Sequence, residues 1–350
     1  MKILQFTTVS ELGGAQSVVI ELANSLCKEN EVFVVSSERG KMWNLFDKKV
    51  KQIPIKQLKK SVSLYDTVVL LQLFWIRFAV RPDIVHLHSS KAGILGRLAF
   101  PKHKIVYTYH GFDSIRLAFR KYLPIEKKMQ YRCNTIVGVS EYDRKNCLVE
   151  GIDKNVVTIH NGVSDTSAEI NQKLNHTIQI LKNDTKFKVI TIARLSPPKH
   201  IDLFLSIASQ LKDVNFYWVG NNYEYKSDLS NVTFCGELRN AALLNNYADL
   251  FILCSNYEGM PMSIIEALKF SRPVISSNVG GISEMLDGSN GFVVENKKEK
   301  FCEKILFYKE NRAEYDKACF AARRIYEEKF CSKRMIEQYL NIYNKIISKK

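Results

Sequence analysis

The chain has no cysteine pair at C-x-x-C spacing, no D-x-D, no G-x-G-x-x-G, and no apolar run as long as the ~20 residues a membrane-spanning helix needs. Each absence removes a class. The eight cysteines, Cys27, Cys133, Cys147, Cys235, Cys254, Cys302, Cys319 and Cys331, are scattered and stand near no histidines at zinc-ligand spacing. They read as small buried side chains in a reducing cytoplasm. The longest apolar stretch, Leu64 to Val80, is interrupted by Asp66, Gln72 and Arg77 and reads as a buried or interfacial helix. The N-terminal MKILQFTTVSELGG turns polar too soon for a signal peptide and reads as a first buried strand. Gly13 and Gly14 lack the spacing of a dinucleotide fingerprint, which disfavours a nicotinamide or flavin dehydrogenase. Without D-x-D there is no paired-aspartate clamp for a metal-bound diphosphate.

What is present is ordinary globular composition, 46% hydrophobic and 25% charged over 350 residues, with length for two cores. The net charge of +15 is uneven. Residues 1–160 hold 25 Lys and Arg against 14 Asp and Glu, and residues 161–350 hold 26 against 22. Lys41 to Lys60 carries seven lysines and one aspartate; Lys102 to Arg132 mixes eight basic residues with Phe112, Phe119, Tyr122 and Tyr131. Such segments suit either an anionic membrane surface or a plain solvated basic face. No recognised nucleic-acid motif accompanies them, so nucleic acid is not expected as a partner.

Short β-branched runs alternate with helical patterns: KILQFTTV, EVFVVSS, DIVHLHSS, KIVYTYHG and NTIVGVS in the first half. FKVITIAR, FYWVG, VTFCG, DLFILCS, RPVISS and GFVVE follow in the second. This is βαβ alternation, which implies parallel sheets. The polar stretch after Ser164 reads as a linker, giving an N-terminal Rossmann-like domain over 1–164, a linker over 165–186 and a second Rossmann-like domain over 187–330. Residues 331–350 read as a helix returning to the first domain. Two doubly wound α/β domains facing each other would leave a cleft, with ligands beyond the carboxyl ends of strands.

The residues that follow strands carry the chemistry. After DLFILCS come Glu258, Gly259, Met260, Pro261 and Met262, then a helix containing Glu266. Gly259 permits close backbone approach, the helix start offers N–H groups to a phosphate, and the carboxylates can accept hydrogen bonds from hydroxyls. Alone, the pair could equally be a capped surface helix. After FKVITIA, Arg194 and Lys199 could reach a diphosphate. Gly280 and Gly281, ahead of Glu284 and an expected helix, and Gly13 with Gly14 in the first half, are candidate phosphate loops. His110 ends KIVYTY, where an imidazole could bond a sugar hydroxyl or be merely structural.

Taken together the pattern resembles the retaining GT-B glycosyltransferases of family 4, whose E-x7-E motif is matched by Glu258 and Glu266. GGA at Gly13 to Ala15, PDIVHLHSSKAGILGRLA, YHGF, VGVS, IHNGV, ARLSPPK, EGMPMSIIEAL and VGGISEMLDGSNGFVV fall in family order along nearly the whole chain. The resemblance implies that Arg194 and Lys199 bind the donor diphosphate and Glu266 the ribose hydroxyls. Glu258, with the Gly259 to Met262 backbone, would hold the transferred sugar, Gly14 would border the phosphates across the cleft, and His110 would lie by the donor sugar. His110 and Glu258 are the implied catalytic groups.

The implied reaction moves a hexose or N-acetylhexosamine from a nucleotide-diphosphate sugar, UDP-sugars being favoured, to a polyprenyl-diphosphate-linked saccharide in capsule, O-antigen or exopolysaccharide synthesis. Neither a metal nor a resident cofactor is expected, the diphosphate assists its own departure, and the site is the inner membrane face, with the protein peripheral. One departure stands out: the family often has Lys-Gly where this chain has Lys199 and His200. A non-catalytic nucleotide-sugar-binding assembly subunit and a non-hydrolysing epimerase are the alternatives. Neither the donor's identity nor the oligomeric state is readable.

Overall fold

The computed structural model describes residues 1–165, 169–221 and 224–348. Its residues fall into two units, Met1–Ser164 with Ser332–Lys350, and Asp165–Cys331.

The first unit is built on seven parallel strands: β1 (Lys2–Thr7), β2 (Glu31–Ser37), β3 (Lys51–Ile55), β4 (Ile84–His88), β5 (Ile105–Tyr109), β6 (Thr135–Gly138) and β7 (Val156–Thr158). Their order is β3-β2-β1-β4-β5-β6-β7. Phe6 stands opposite Val35 and Leu87, and all three join the apolar core. One residue back, Gln5 stands opposite His86, on the other face. The helices are α1 (Gly14–Leu26), α2 (Tyr65–Val80), α3 (Ser90–Ala99), α4 (Leu123–Met129) and α5 (Glu141–Val149). Val69, Leu73 and Ile76 of α2, Leu95 of α3 and Leu123 of α4 cover the Phe6 face. A buried ion pair ties α3 to α4: Arg97 donates to Glu126 Oε2 at 2.6 Å, which also accepts from the Tyr109 hydroxyl at 2.9 Å. Strand β3 lies inside the lysine-rich segment at the sheet edge, with Lys51 and Gln52 exposed and only Ile53 and Ile55 turned to the core. Lysine on an edge discourages further strand pairing.

The second unit opens where a linker is expected. Residues 165–186 contain α6 (Gln172–Asn183), whose Leu174, Ile178 and Leu181 are buried. Asn171, which reads as a linker residue, is its N-cap, accepting from the Leu174 N–H at 2.9 Å. Six parallel strands follow: β8 (Phe187–Ile192), β9 (Val214–Val219), β10 (Val232–Phe234), β11 (Leu250–Leu253), β12 (Val274–Ser277) and β13 (Gly291–Val294), in the order β10-β9-β8-β11-β12-β13. Helices α7 (Ile201–Gln210), α8 (Met262–Lys269), α9 (Lys298–Glu310) and α10 (Arg312–Ile325) pack around it. Phe204, Phe216, Trp218, Ile252 and Ile305 fill the core. Leu238 to Tyr247, between VTFCG and DLFILCS, holds a short 3-10 turn, Ala241–Asn246, and the helix expected near Glu284 is likewise a 3-10 turn, Gly280–Glu284.

The last helix, α11 (Ser332–Ile347), groups with the first unit. Its Ser332 N–H donates to Val163 O at 3.0 Å. Its Tyr339 and Tyr343 are buried against the polar face of the first sheet, where the Tyr343 hydroxyl is 2.7 Å from His86 Nδ1. No helix among the described residues is long and apolar enough to cross a membrane.

Candidate functional site

Where the strand order of an open parallel sheet reverses, the loops leaving adjacent strands turn apart and leave a crevice at their carboxyl ends. In the second unit that place lies between β8 and β11. The residues singled out after those strands are Arg194 and Lys199 on one side and Glu258 to Glu266 on the other.

After β8, Arg194 is exposed, and Pro197–Lys199 form one 3-10 turn. His200 then adopts φ +32° and ψ 57° as it enters α7. That left-handed conformation explains why glycine suits this position, and His200 keeps the turn despite its Cβ. The turn meets the β11 loop directly. Asn256 N–H donates to Pro198 O at 2.8 Å, and Lys199 Nζ pairs with Glu258 Oε1. The same carboxylate oxygen accepts from the Ser255 hydroxyl at 2.7 Å.

The loop after β12 braces this arrangement. Gly280 has φ +58°, and a Cβ there would stand 1.8 Å from the Glu258 carbonyl oxygen. Gly281 donates its N–H to Gly259 O at 2.9 Å, so this N–H, an expected phosphate donor, holds the Glu258 loop instead. Met260, Pro261 and Met262 are buried. Helix α8 begins with Pro261 as N-cap, without a side-chain cap or an acidic first-turn residue. Its first N–H groups and the positive end of its dipole therefore suit an anion. Glu266 is half-buried one turn on, and burial pushes its carboxyl up to about 7 against the opposing pull of Lys269. Lys199, Glu258 and Ser255 thus meet ahead of the uncapped start of α8, with Arg194 following β8 and Glu266 within the helix, residue types that can hold phosphate and receive hydroxyl hydrogens. Among the described residues no group of three or more His, Cys, Asp or Glu could hold a metal ion.

The remaining candidates belong to the first unit. Gly13 is the extended N-cap of α1 and Gly14 its first residue, at the reversal between β1 and β4. The two loops there are tied by Thr8, whose N–H donates to Ser89 Oγ at 3.2 Å. His110 follows β5, with Nε2 3.0 Å from His88 Nδ1 and a buried Nδ1 without a hydrogen-bond partner. Burial alone lowers His110 to about 4, so the ring is neutral at ordinary pH. Asp143 Oδ1 accepts from Phe112 N–H at 2.8 Å and fixes the YHGF turn. Sequence reasoning missed Ser255 and His88. The alternation V-H-L-H, which puts His86 and His88 on one face of β4, was the available signal for the latter.

Residues 12–167 match the model of Glycosyltransferase Family 4, and residues 186–311 match that of glycosyl transferases group 1. The chain is a group 1, family 4 glycosyltransferase. It is similar to the O-antigen biosynthesis glycosyltransferase WbnH of Escherichia coli, with 28% identity over 97% of both chains. An Escherichia coli UDP-Gal:alpha-D-GlcNAc-diphosphoundecaprenol alpha-1,3-galactosyltransferase shares 28% identity over 84% of each chain. Among solved structures, Anabaena Alr3699/HepE in complex with UDP-glucose superposes with a TM-score of 0.83 at 19% identity, covering 99% of this glycosyltransferase and 100% of that chain. The two Rossmann-like units are those of a GT-B fold.

Proposed function

We propose that this glycosyltransferase transfers a hexose or N-acetylhexosamine, with retention of configuration, from a UDP-sugar to a polyprenyl-diphosphate-linked saccharide in bacterial surface-polysaccharide synthesis. The observation that carries the donor half is the meeting of Lys199, Glu258 and the uncapped start of α8 at the sheet reversal of the second unit. Arg194, Lys199 and the first N–H groups of α8 take the diphosphate charge. Glu266 accepts from the ribose hydroxyls, and Glu258 with the Gly259 to Met262 backbone holds the sugar. Preorganised donors of this kind stabilise a departing diphosphate without a resident metal. Transfer proceeds on the face the diphosphate leaves, without a covalent intermediate, and neutral His110 is the histidine assigned to the donor sugar. The acceptor class is supported by the relative whose name specifies a diphosphoundecaprenol-linked substrate.

The test is a thermal-shift screen across UDP-, GDP- and other nucleotide sugars, followed by turnover of the responding donor with a polyprenyl-diphosphate saccharide. Saturating donor at a hundredfold its dissociation constant adds ~2.7 kcal/mol. A shift with UDP-sugars and acceptor-dependent product is expected. Binding without turnover would instead identify an assembly subunit, free epimer without acceptor an epimerase, and no shift with any nucleotide sugar would overturn the site. The ground for the binding-subunit reading was His200, and His200 keeps the left-handed turn.

A further inference from the structure

Helix α2 carries two apolar stripes where a helix in the wall of an α/β domain needs one. Val69, Leu73, Ile76 and Val80 are buried against the sheet. Leu64, at the N-cap, and Val68, Leu71, Trp75 and Phe78 recur at alternating four- and three-residue steps on the outer side. They are 91%, 39%, 69%, 71% and 66% exposed. A continuous exposed stripe of this size marks a surface with an occupant.

Cations border the stripe. Lys59 and Lys60 precede it, with the Lys59 ammonium 5.4 Å from the ring centre of Tyr65. The Arg77 guanidinium lies 5.5 Å from the Phe78 ring. Beyond the C-terminal end, Arg77, Phe78, Arg81, Phe100 and Lys104 line a cavity of about 410 Å³. The one acidic residue of the helix, Asp66, is paired with Lys91 at 2.6 Å. The next helix, α3, packs on α2 and adds the exposed Leu98.

We propose that the outer face of α2 and α3 docks on an anionic phospholipid bilayer, with α2 lying in the plane of the interface. Leu64, Leu71, Trp75 and Phe78 enter the boundary between headgroups and acyl chains, and a lipid phosphate sits between Arg77, Arg81 and Lys104. Charge selects this occupant over a second copy of the chain, which would bring the same cations against themselves. Length selects docking over spanning: 16 residues of helix reach only ~24 Å, and the opposite stripe is committed to the core. Apolar side chains flanked by Lys and Arg, with an aromatic ring between the two environments, are what an interfacial helix requires. The inference deepens the acceptor half of the proposed reaction and rests on it for its purpose, whereas its test uses neither substrate.

The experiment is co-sedimentation of the full chain with vesicles of equal parts phosphatidylglycerol and phosphatidylcholine, against pure phosphatidylcholine, at low and high salt. The wild type is expected to bind the mixed vesicles, less so as salt rises, with a blue shift in tryptophan emission that is lost in Trp75→Ser. The double variant Leu71→Ser with Trp75→Ser removes only exposed side chains and should lower partitioning roughly tenfold or more, and Arg81→Glu should weaken binding most at low salt. No binding to mixed vesicles at low salt would overturn the proposal, as would undiminished binding by the double variant. A dimer in solution that the double variant dissolves would make a second copy the occupant and overturn it too. The donor-induced thermal shift, measured on the same variants without lipid, fails or survives independently and reports on the donor site alone.

Discussion

The Lys199 ammonium rests on the Glu258 carboxylate, so the cation proposed to hold phosphate and the acid proposed to hold sugar neutralise each other. In the proposed reaction a diphosphate at Lys199 would share or displace Glu258, coupling the two halves of the donor. Lys199→Ala should lower kcat/KM roughly a hundredfold, the range for losing one preorganised donor to a departing anion. Glu258→Ala should do the same, and the double variant should be little worse than either single change, because the groups act as a unit. Steady-state kinetics with saturating acceptor checks this; wild-type rates in both single variants would contradict it.

Glu266 titrates higher in the fold than its ordinary 4.5, near 7. Between those values the folded chain keeps a proton that the unfolded chain has lost, so this group's contribution to stability falls as pH rises from 4.5 to about 7, then levels. Glu266→Gln should remove that part of the slope in urea midpoints. Donor affinity should rise with pH through about 7, where the carboxylate forms and accepts the ribose hydroxyls, and Glu266→Gln should lose this rise as well.

The histidines of the first sheet act in the opposite direction. Burial holds His86 and His88 well below their ordinary 6.5, with His110 adding to both, and lowers His110 to about 4. Their neutral forms stabilise the fold above 6.5, and this contribution is lost as pH falls, because the unfolded chain takes up the protons first. Urea midpoints should therefore drop on acidification below 6.5, and His88→Gln should make the drop shallower. An unchanged slope in that variant would contradict the assignment.

Two backbone positions predict opposite effects. Gly280→Ala forces a Cβ into the Glu258 carbonyl and should cost ~2 kcal/mol or more while impairing donor binding. His200→Gly relieves a left-handed non-glycine residue and should gain ~1 kcal/mol with activity kept. Thermal melts of both variants decide.

The alternation of β-branched runs with helical periods made both parallel sheets legible, since strands buried on both faces are apolar over most of their length. Strand β3 escaped because its exposed half, Lys51 and Gln52, is polar and Pro54 interrupts the rest, and α6 escaped because three buried apolar side chains are hidden among asparagines that read as a linker. At the site, residue types and loop positions were readable, but partnerships were not. Lys199 and Glu258 are 59 residues apart, and no local pattern announces that they touch. Helix α2 read as apolar from composition; only burial separates its core stripe from its outer one.

The return of α11 to the first unit makes the second unit a guest inserted into its host. During synthesis the host's β1 to β7 leave the ribosome first, yet the polar face of their sheet, with His86 and Thr108, stays without Tyr339 and Tyr343 until the whole guest has been made. The guest is complete by Cys331. The host closes last, so a chain cut short within α11 has every residue of its second half but an open first half, the half that proteases and chaperones would find.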